Sequence, residues 1–359
     1  MPPVILIAPA AFKGTIGPRQ VAEALAAGVR RAAPGATVLE CPVADGGNGL
    51  LDVVLPTGAL RERLEVTGPI GESVSAELGW IDAETAIIES ASACGLALVE
   101  PEDRDPMRTT TRGVGELIWT AADRGAKTIV VGLGGTATVD GGTGAARGFG
   151  WTFENAAGQS LPEGGGSLEH LASFGSGWVC NARVVALADV ATPLLGRDGA
   201  APIFGPQKGA RPEEIPHLAA GLERLADLWA RAGRPDLGTM PMGGAAGGLA
   251  AGLVFFARAE LTPGAEWVLE RAGFDAALAK ADLVITAEGV FDKTSMVGKA
   301  PGEVVRRAQA ARKKVAVVAG RVDGIVGVHA VGSDGNGRML DGPALAQMAE
   351  QVAREALHI

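Results

Sequence analysis

The stretch IVVGLGGTATVDGGTG, residues 129–144, decides how this chain is read. Its first half is a run of Ile and Val, whose stiff χ1 rotors suit a packed, pleated surface, so it reads as a buried strand. The second half cannot prolong that strand, because glycine weakens it and brings nothing to pack. Six glycines stand here, more than the one or two of a tight turn, around one carboxylate, Asp140. Glycines at a strand's end let a ligand approach the backbone closely, and successive amides form a nest for anions.

The same texture recurs outward from that stretch. VILIA (residues 4–8) reads as a buried strand, and Gly17-Pro18 opens a helix with Val21, Leu25 and Val29 at helical spacing, closed by Pro34-Gly35. ATVLECPVA (residues 36–44) follows as a second strand. Residues 61–93 hold three strand-like runs parted by turn signals with no helix between them, a β-rich segment. A helix is expected over residues 113–124, a buried strand over VVALADV (184–190), and a long helix over 213–232. GGAAGGLAAGLVFFAR (243–258) reads as one tightly packed buried helix. ADLVIT (281–286), KVAVVAG (314–320) and GIVGVHAV (324–331) are strands interleaved with helices, and the last helix sets Leu345, Met348 and Val352 on one face. Strands alternating with helices at both ends imply parallel α/β layers. The expected architecture is a two-domain α/β protein: a discontinuous first domain of residues 1–62 and 284–359, and a second α/β domain, residues 63–283, inserted in it.

At 359 residues, 47% of them hydrophobic, the chain can bury large cores without staples. Its formal charge of −9 argues against a nucleic-acid or anionic-membrane surface, since both call for a concentrated basic field. Cys41, Cys94 and Cys180 form no CxxC pair, and the four histidines show no ligand spacing. The start lacks the marks of a signal peptide and no apolar stretch reaches a membrane-spanning length, so a cytoplasmic location is expected.

Several residues point to chemistry. VADGGNG (43–49) echoes VDGGTG (139–144), placing Asp45 as Asp140 is placed. Asp189 stands at the end of a strand, where open α/β sheets hold ligands. FGPQKGA (204–210) sets Gln207 and Lys208 in a Pro/Gly-bounded loop, and TAEGVFDKTSMVGKAP (286–301) gives Glu288, Gly289, Asp292 and Lys299 in another. Carboxylates near anion nests suit Mg²⁺, and lysines neutralise charge on a moving phosphoryl group. Together the set reads as phosphoryl transfer, although no Walker A sequence and no dinucleotide fingerprint occurs.

In this light the sequence resembles the type I glycerate kinases, of the bacterial glycerate 2-kinase kind. IAPAAFKGT, CPVADGGNG, VTGPIG, ESASACGLALV, TTTRGVGELI, GLGGTATVDGG, ADVATPLLG, FGPQKGA, GAAGGLAAGL and AEGVFDKTSMVGKAP match family blocks in order over nearly the whole chain. The resemblance implies a Rossmann-like domain with a second α/β domain, and transfer of the γ-phosphoryl of ATP to D-glycerate, giving 2-phosphoglycerate. It implies that Gly134, Gly135, Thr136, Asp140, Gly141, Gly142, Gln207, Glu288 and Gly289 hold ATP. Asp189, Glu288 and Asp292 would hold Mg²⁺, and Asp189, Asp45, Lys13 and Lys208 would be catalytic. Asp189, with Asp45 or Glu288, is either metal ligand or proton acceptor; Lys13 and Lys208 balance phosphate or carboxylate charge. The partner is a small hydroxy acid, with a homodimer left open. The chain departs from the family blocks at Ala10, Ala11, Asn48, Thr136, Val139, Ala188, Ala191, Thr192, Ala287 and Val290. Those departures motivate a second reading, a kinase-like protein that binds a nucleotide or sugar acid with altered substrate or little turnover.

Overall fold

The structure is a computed structural model and describes residues 2–12, 16–47, 49–296, 298–323, 329–332 and 340–358. The chain opens with β1 (Val4–Ile7), α1 (Pro18–Ala32), β2 (Thr37–Glu40) and α2 (Leu50–Val54). It continues through β3 (Arg61–Thr67), β4 (Ser73–Trp80), β5 (Thr85–Glu89), α3 (Ser90–Cys94), α4 (Arg112–Asp123), β6 (Thr128–Gly132) and α5 (Thr143–Gly148). Next come β7 (Phe153–Glu154), β8 (Ser173–Phe174), β9 (Arg183–Ala188), α6 (Ala200–Phe204), α7 (Ile215–Arg231), α8 (Leu249–Phe256) and β10 (Glu260–Pro263). The remainder is α9 (Gly264–Arg271), α10 (Phe274–Lys280), β11 (Leu283–Phe291), α11 (Ala300–Ala310), β12 (Lys314–Val322), β13 (His329–Gly332) and α12 (Gly342–Leu357).

These elements form two compact units, Met1–Val54 with Pro263–Ile359, and Leu55–Thr262. The sequence placed the borders at 62/63 and 283/284, and both move. Ala265, Leu269, Phe274 and Leu278 of α9 and α10 share one buried cluster with Leu6, Val43 and Val284, so both helices belong to the first unit. Leu55, for its part, lies against Gly79 of β4 in the second.

In the first unit five strands run in the order β13-β12-β11-β1-β2, with the four neighbouring pairs parallel among the described residues. Strand alternation sorts their side chains: Ile5, Ile7, Leu283 and Ile285 pack with Val21, Leu25 and Val29 of α1 and Leu345 and Val352 of α12, while Leu6 and Val284 face α9, α10 and α11. Burying each such side chain contributes roughly 1.5–3 kcal/mol. The two helices on the first face touch at Gly28, where a Cβ would stand 2.0 Å from the Ala346 carbonyl oxygen. The connection reverses direction between β1 and β11, the switch point of a doubly wound sheet. Of the strand expected over 324–331, residues 329–331 lie in β13 and residues 324–328 lie outside the described residues.

The second unit holds a six-stranded sheet, β10-β9-β6-β5-β4-β3. The β-rich segment expected over 61–93 forms the antiparallel pairs β3–β4 and β4–β5, after which β5, β6 and β9 are parallel. Leu117 and Ile118 of α4, Leu222 and Leu225 of α7, and Leu249 and Leu253 of α8 belong to its core. The single helix expected over 243–258 is broken. Regular helix starts only at Leu249, after a turn in which Ala246 and Gly247 take φ of 54° and 70°. The break lets Gly247 press on the 129–144 loop: it accepts the Gly141 amide at 3.1 Å, and a Cβ on it would lie 1.9 Å from the Thr138 carbonyl oxygen.

Candidate functional site

Because β5, β6 and β9 are parallel, their carboxyl ends open on one edge of the second unit's sheet. There the chain offers Ser90 after β5, Gly134 and Gly135 after β6, and Asp189 directly after β9. Ser90 was not singled out from sequence. It is fully buried, and its hydroxyl oxygen lies 3.3 Å from the Gly134 amide and 3.4 Å from the Gly134 carbonyl, fixing the loop's first turn. The signal was available: Ser90 follows a strand as Asp189 does. Gly135 is exposed with φ of 66°, a conformation that L side chains resist, so the turn calls for glycine.

The later half of the loop does something else. Asp140 is fully buried, and its two oxygens accept four hydrogen bonds: Oδ2 from the Thr111 amide (2.9 Å), the Thr111 hydroxyl (2.8 Å) and the Gly144 amide (3.1 Å), and Oδ1 from the Gly142 amide (3.0 Å). Burial pushes its pKa up, and the four donors oppose that push. With its acceptor sites engaged inside the protein, Asp140 is a structural knot joining the starts of α4 and α5, which corrects the expectation that it holds phosphate. Gly141 and Gly142 are corrected likewise. Their amides serve Gly247 and Asp140, and a Cβ would meet Leu225 at 2.6 Å and Gly252 at 3.1 Å respectively. They are glycine because helices α7 and α8 press on them.

Lys208 is 3% exposed, and its Nζ donates to the Thr136 hydroxyl at 3.0 Å and the Thr138 carbonyl at 2.7 Å. Burial pulls its pKa down to about 8, with Cys94 and Asp140 opposing. An ammonium has three protons and these contacts use two, so the third can meet an anion at the loop. Thr136 is thus tied to Lys208 and buried, a support for the loop rather than an open ligand contact. Gln207, its neighbour, is exposed.

The first unit assembles its own set at the switch point. The Ala10 amide donates to the Ala287 carbonyl, Val43 to Pro9, and the Thr286 hydroxyl to Ala8, so the segments leaving β1, β2 and β11 are laced together. Glu288 belongs to β11 itself, in register with Ala319, and not to a loop as expected. It is 9% exposed, and its Oε1 is buried without a hydrogen-bond partner among the described residues. Burial pushes its pKa up to about 7; Ser295 and Lys299 pull it down while Asp45 and Asp292 push it up. Asp45 lies close enough to be felt, and its Oδ1 accepts the Gly47 amide at 3.2 Å. A Cβ on Gly289, the next residue of β11 and so on the opposite face of the strand, would meet nothing within 4 Å among the described residues. Asp292 is different: Oδ1 takes the Thr294 amide, the Thr294 hydroxyl and the Ser295 amide, closing the turn after β11. Those bonds hold its pKa below the usual range. Lys13 lies outside the described residues.

Asp189 belongs to the second unit and Glu288 and Asp292 to the first, and among the described residues no group of three His, Cys, Asp or Glu is placed to hold a metal ion. The donor set that does fit Mg²⁺ is smaller. Glu288 brings a buried, unpartnered oxygen and Asp45 a second hard carboxylate, and Mg²⁺ commonly takes one or two of these plus water and phosphate oxygens.

The sequence profile described as the glycerate kinase family matches residues 5–358. The chain belongs to the glycerate kinase family. It is 40% identical over 339 residues to a glycerate 2-kinase of Escherichia coli K12, covering 92% of this chain and 88% of that one. It is also 40% identical over 325 residues to a glycerate kinase of Bacillus subtilis 168, covering 89% and 85%. A crystal structure from Salmonella typhimurium LT2, described as a candidate glycerate kinase 2, is similar over 100% of this chain and 99% of that one, with a TM-score of 0.82 and 38% identity.

Within this glycerate kinase family chain, several motif departures prove to be packing positions. Val139, Ala188 and Ala287 are each fully buried, so their apolar character serves the core. Ala10, Ala11, Ala191, Thr192 and Val290 are at least partly accessible. Asn48 lies outside the described residues.

Proposed function

We propose that this protein transfers the γ-phosphoryl group of ATP to the 2-hydroxyl of D-glycerate. The observation that carries the proposal is Glu288: a carboxylate oxygen buried at the carboxyl end of a switch-point strand, without a hydrogen-bond partner among the described residues, with Asp45 near enough to act on it. A buried carboxylate oxygen left without a hydrogen bond is costly, and a bound cation would supply the missing interaction. Family membership supports the kinase reading, and the names of the relatives support glycerate as the acceptor.

In this reading Glu288 and Asp45 would hold Mg²⁺, which when bound supplies positive charge against the phosphate oxygens. Gly134, Gly135 and Gln207 would border the phosphates, where the open glycine turn fits a bulky anion. Lys208, rigid through Thr136 and Thr138, presents its remaining proton to negative charge at the loop. Asp189 accepts the proton of the attacking hydroxyl. Phosphoryl transfer needs little beyond such positioning and charge balance.

The test is D-glycerate-dependent ADP release in the presence of Mg²⁺, against a panel of other small hydroxy acids. Turnover that is selective for D-glycerate supports the proposal. Nucleotide binding by calorimetry without product for any acid in the panel would establish the binding-protein reading in its place.

A further inference from the structure

We propose that the outer edge of β3 is the surface through which two copies of this chain pair, strand against antiparallel strand, about a two-fold axis at Leu64. β3 ends the order of the six-stranded sheet. The backbone bonds from Trp80 to Leu60 and from Gly68 to Glu72 bracket the β3–β4 register, so the even-numbered residues of β3 are those bonded to β4. In an antiparallel ladder the alternate residues turn their N–H and C=O outward. At the strand's centre these are Arg63 and Glu65, while near its end the outward Thr67 amide is met by Glu116 at 2.8 Å. An exposed edge of this kind is a template for another strand.

Charge selects both the occupant and the register. With the axis at Leu64, Arg63 faces Glu65 of the second copy, and by symmetry Glu65 faces Arg63, with Leu64 opposite Leu64. Moving the axis one residue either way sets Arg63 on Arg63 or Glu65 on Glu65. An axis between residues would set outward backbone groups against inward ones. The strand is thus complementary to itself in one alignment. Both side chains are available for it: Arg63 is 76% exposed with Glu77 at 3.5 Å, and Glu65 is exposed with the Ser73 hydroxyl at 2.9 Å.

Apolar surface lies where the same alignment would cover it. Leu60 (58% exposed) precedes β3 and Ile70 (53%) follows it. The axis at Leu64 carries the turn holding Ile70 toward Gly58 and Leu60 of the second copy. A hollow of about 580 Å³ opens there, lined by Gly58, Leu60, Trp80 and Arg124 among others. Each contact occurs twice, as an isologous interface requires.

Sedimentation velocity across micromolar concentrations tests this. The wild type is expected at twice the 36.3 kDa of one chain. Arg63→Glu and Glu65→Arg each create two facing like-charge pairs and should weaken the dimer at least tenfold. The double variant R63E/E65R restores opposite charges and should restore the dimer. Thermal melts confirm that all three variants fold, since the substituted side chains are exposed. A monomeric wild type, a dimer indifferent to the single substitutions, or a double variant that stays dissociated would each overturn the proposal.

Discussion

Replacing Asp140 by Asn separates the two roles its sequence context allows. In the structure Oδ2 takes three donors and Oδ1 one, all inside the protein. An Asn amide can keep its oxygen at the three-donor position, but its NH₂ then points at the Gly142 amide, which loses its acceptor. One orphaned buried donor costs about 1–3 kcal/mol. The three remaining bonds change from charge-assisted to neutral, about 1 kcal/mol each. Relief from burying a charge offsets part of that sum, leaving a net loss of about 2–4 kcal/mol. At roughly 2–4 °C per kcal/mol for a unit of this size, the melting transition should fall by roughly 5–15 °C. Calorimetry of D140N beside the wild type reads the shift, with KM for ATP measured below the transition. An unchanged melt together with a KM for ATP raised tenfold or more would refute the reasoning and return Asp140 to the phosphates.

Other outcomes follow from the same geometry. Asp189→Asn should fold normally and lose on the order of 10² or more in kcat, the usual scale for general-base loss; an unchanged kcat puts the proton acceptor elsewhere. The folded pKa of Lys208, about 8, lies below its ordinary 10.5. The unfolded chain therefore holds the extra proton between those values, so its contribution to stability rises with pH over that window while activity falls above about pH 8. A rate that stays flat from pH 7 to 10 would show that the Lys208 charge is idle. Glu288 has the opposite sign: its folded pKa of about 7 exceeds 4.5, so its contribution to stability is lost as pH rises between them. At pH 8 without metal, Glu288→Gln should therefore be the more stable protein, by on the order of 3 kcal/mol. Mg²⁺ should raise the wild-type melting temperature and leave E288Q nearly unmoved; equal shifts in both would remove Glu288 from the cation site.

Much of the architecture was legible in the sequence because it depends on periodicity. Val21, Leu25 and Val29 announce α1, and the Ile/Val runs announce the central strands of both sheets. The position of Asp189 directly after β9 was legible in the same way. What sequence could not carry was the partner of each polar group. Asp140 and Asp45 sit in near-identical Asp-Gly-Gly contexts, yet one is sealed beneath α7 and α8 and the other is only partly buried. The difference lies in Leu225, Gly247 and Gly252, which are remote in sequence. The glycines at 141 and 142 looked like an anion nest because close packing against helices and close approach to a ligand call for the same residue. The helix break at Ala246–Gly247 was invisible for a similar reason: it exists to let Gly247 meet Thr138. The domain border at 284 followed the change of texture, whereas α9 and α10 are claimed by Leu6 and Val284 through burial alone.

The central claim is phosphoryl transfer to the 2-hydroxyl of D-glycerate, and the proton-coupled ³¹P spectrum of a reaction with ATP, Mg²⁺ and D-glycerate reads it in one measurement. The account predicts a new phosphomonoester signal split into a doublet by the single methine proton at carbon 2, growing as ADP appears. A triplet, from the methylene at carbon 3, would contradict the assigned hydroxyl, and the absence of any glycerate-dependent phosphomonoester would contradict the function itself.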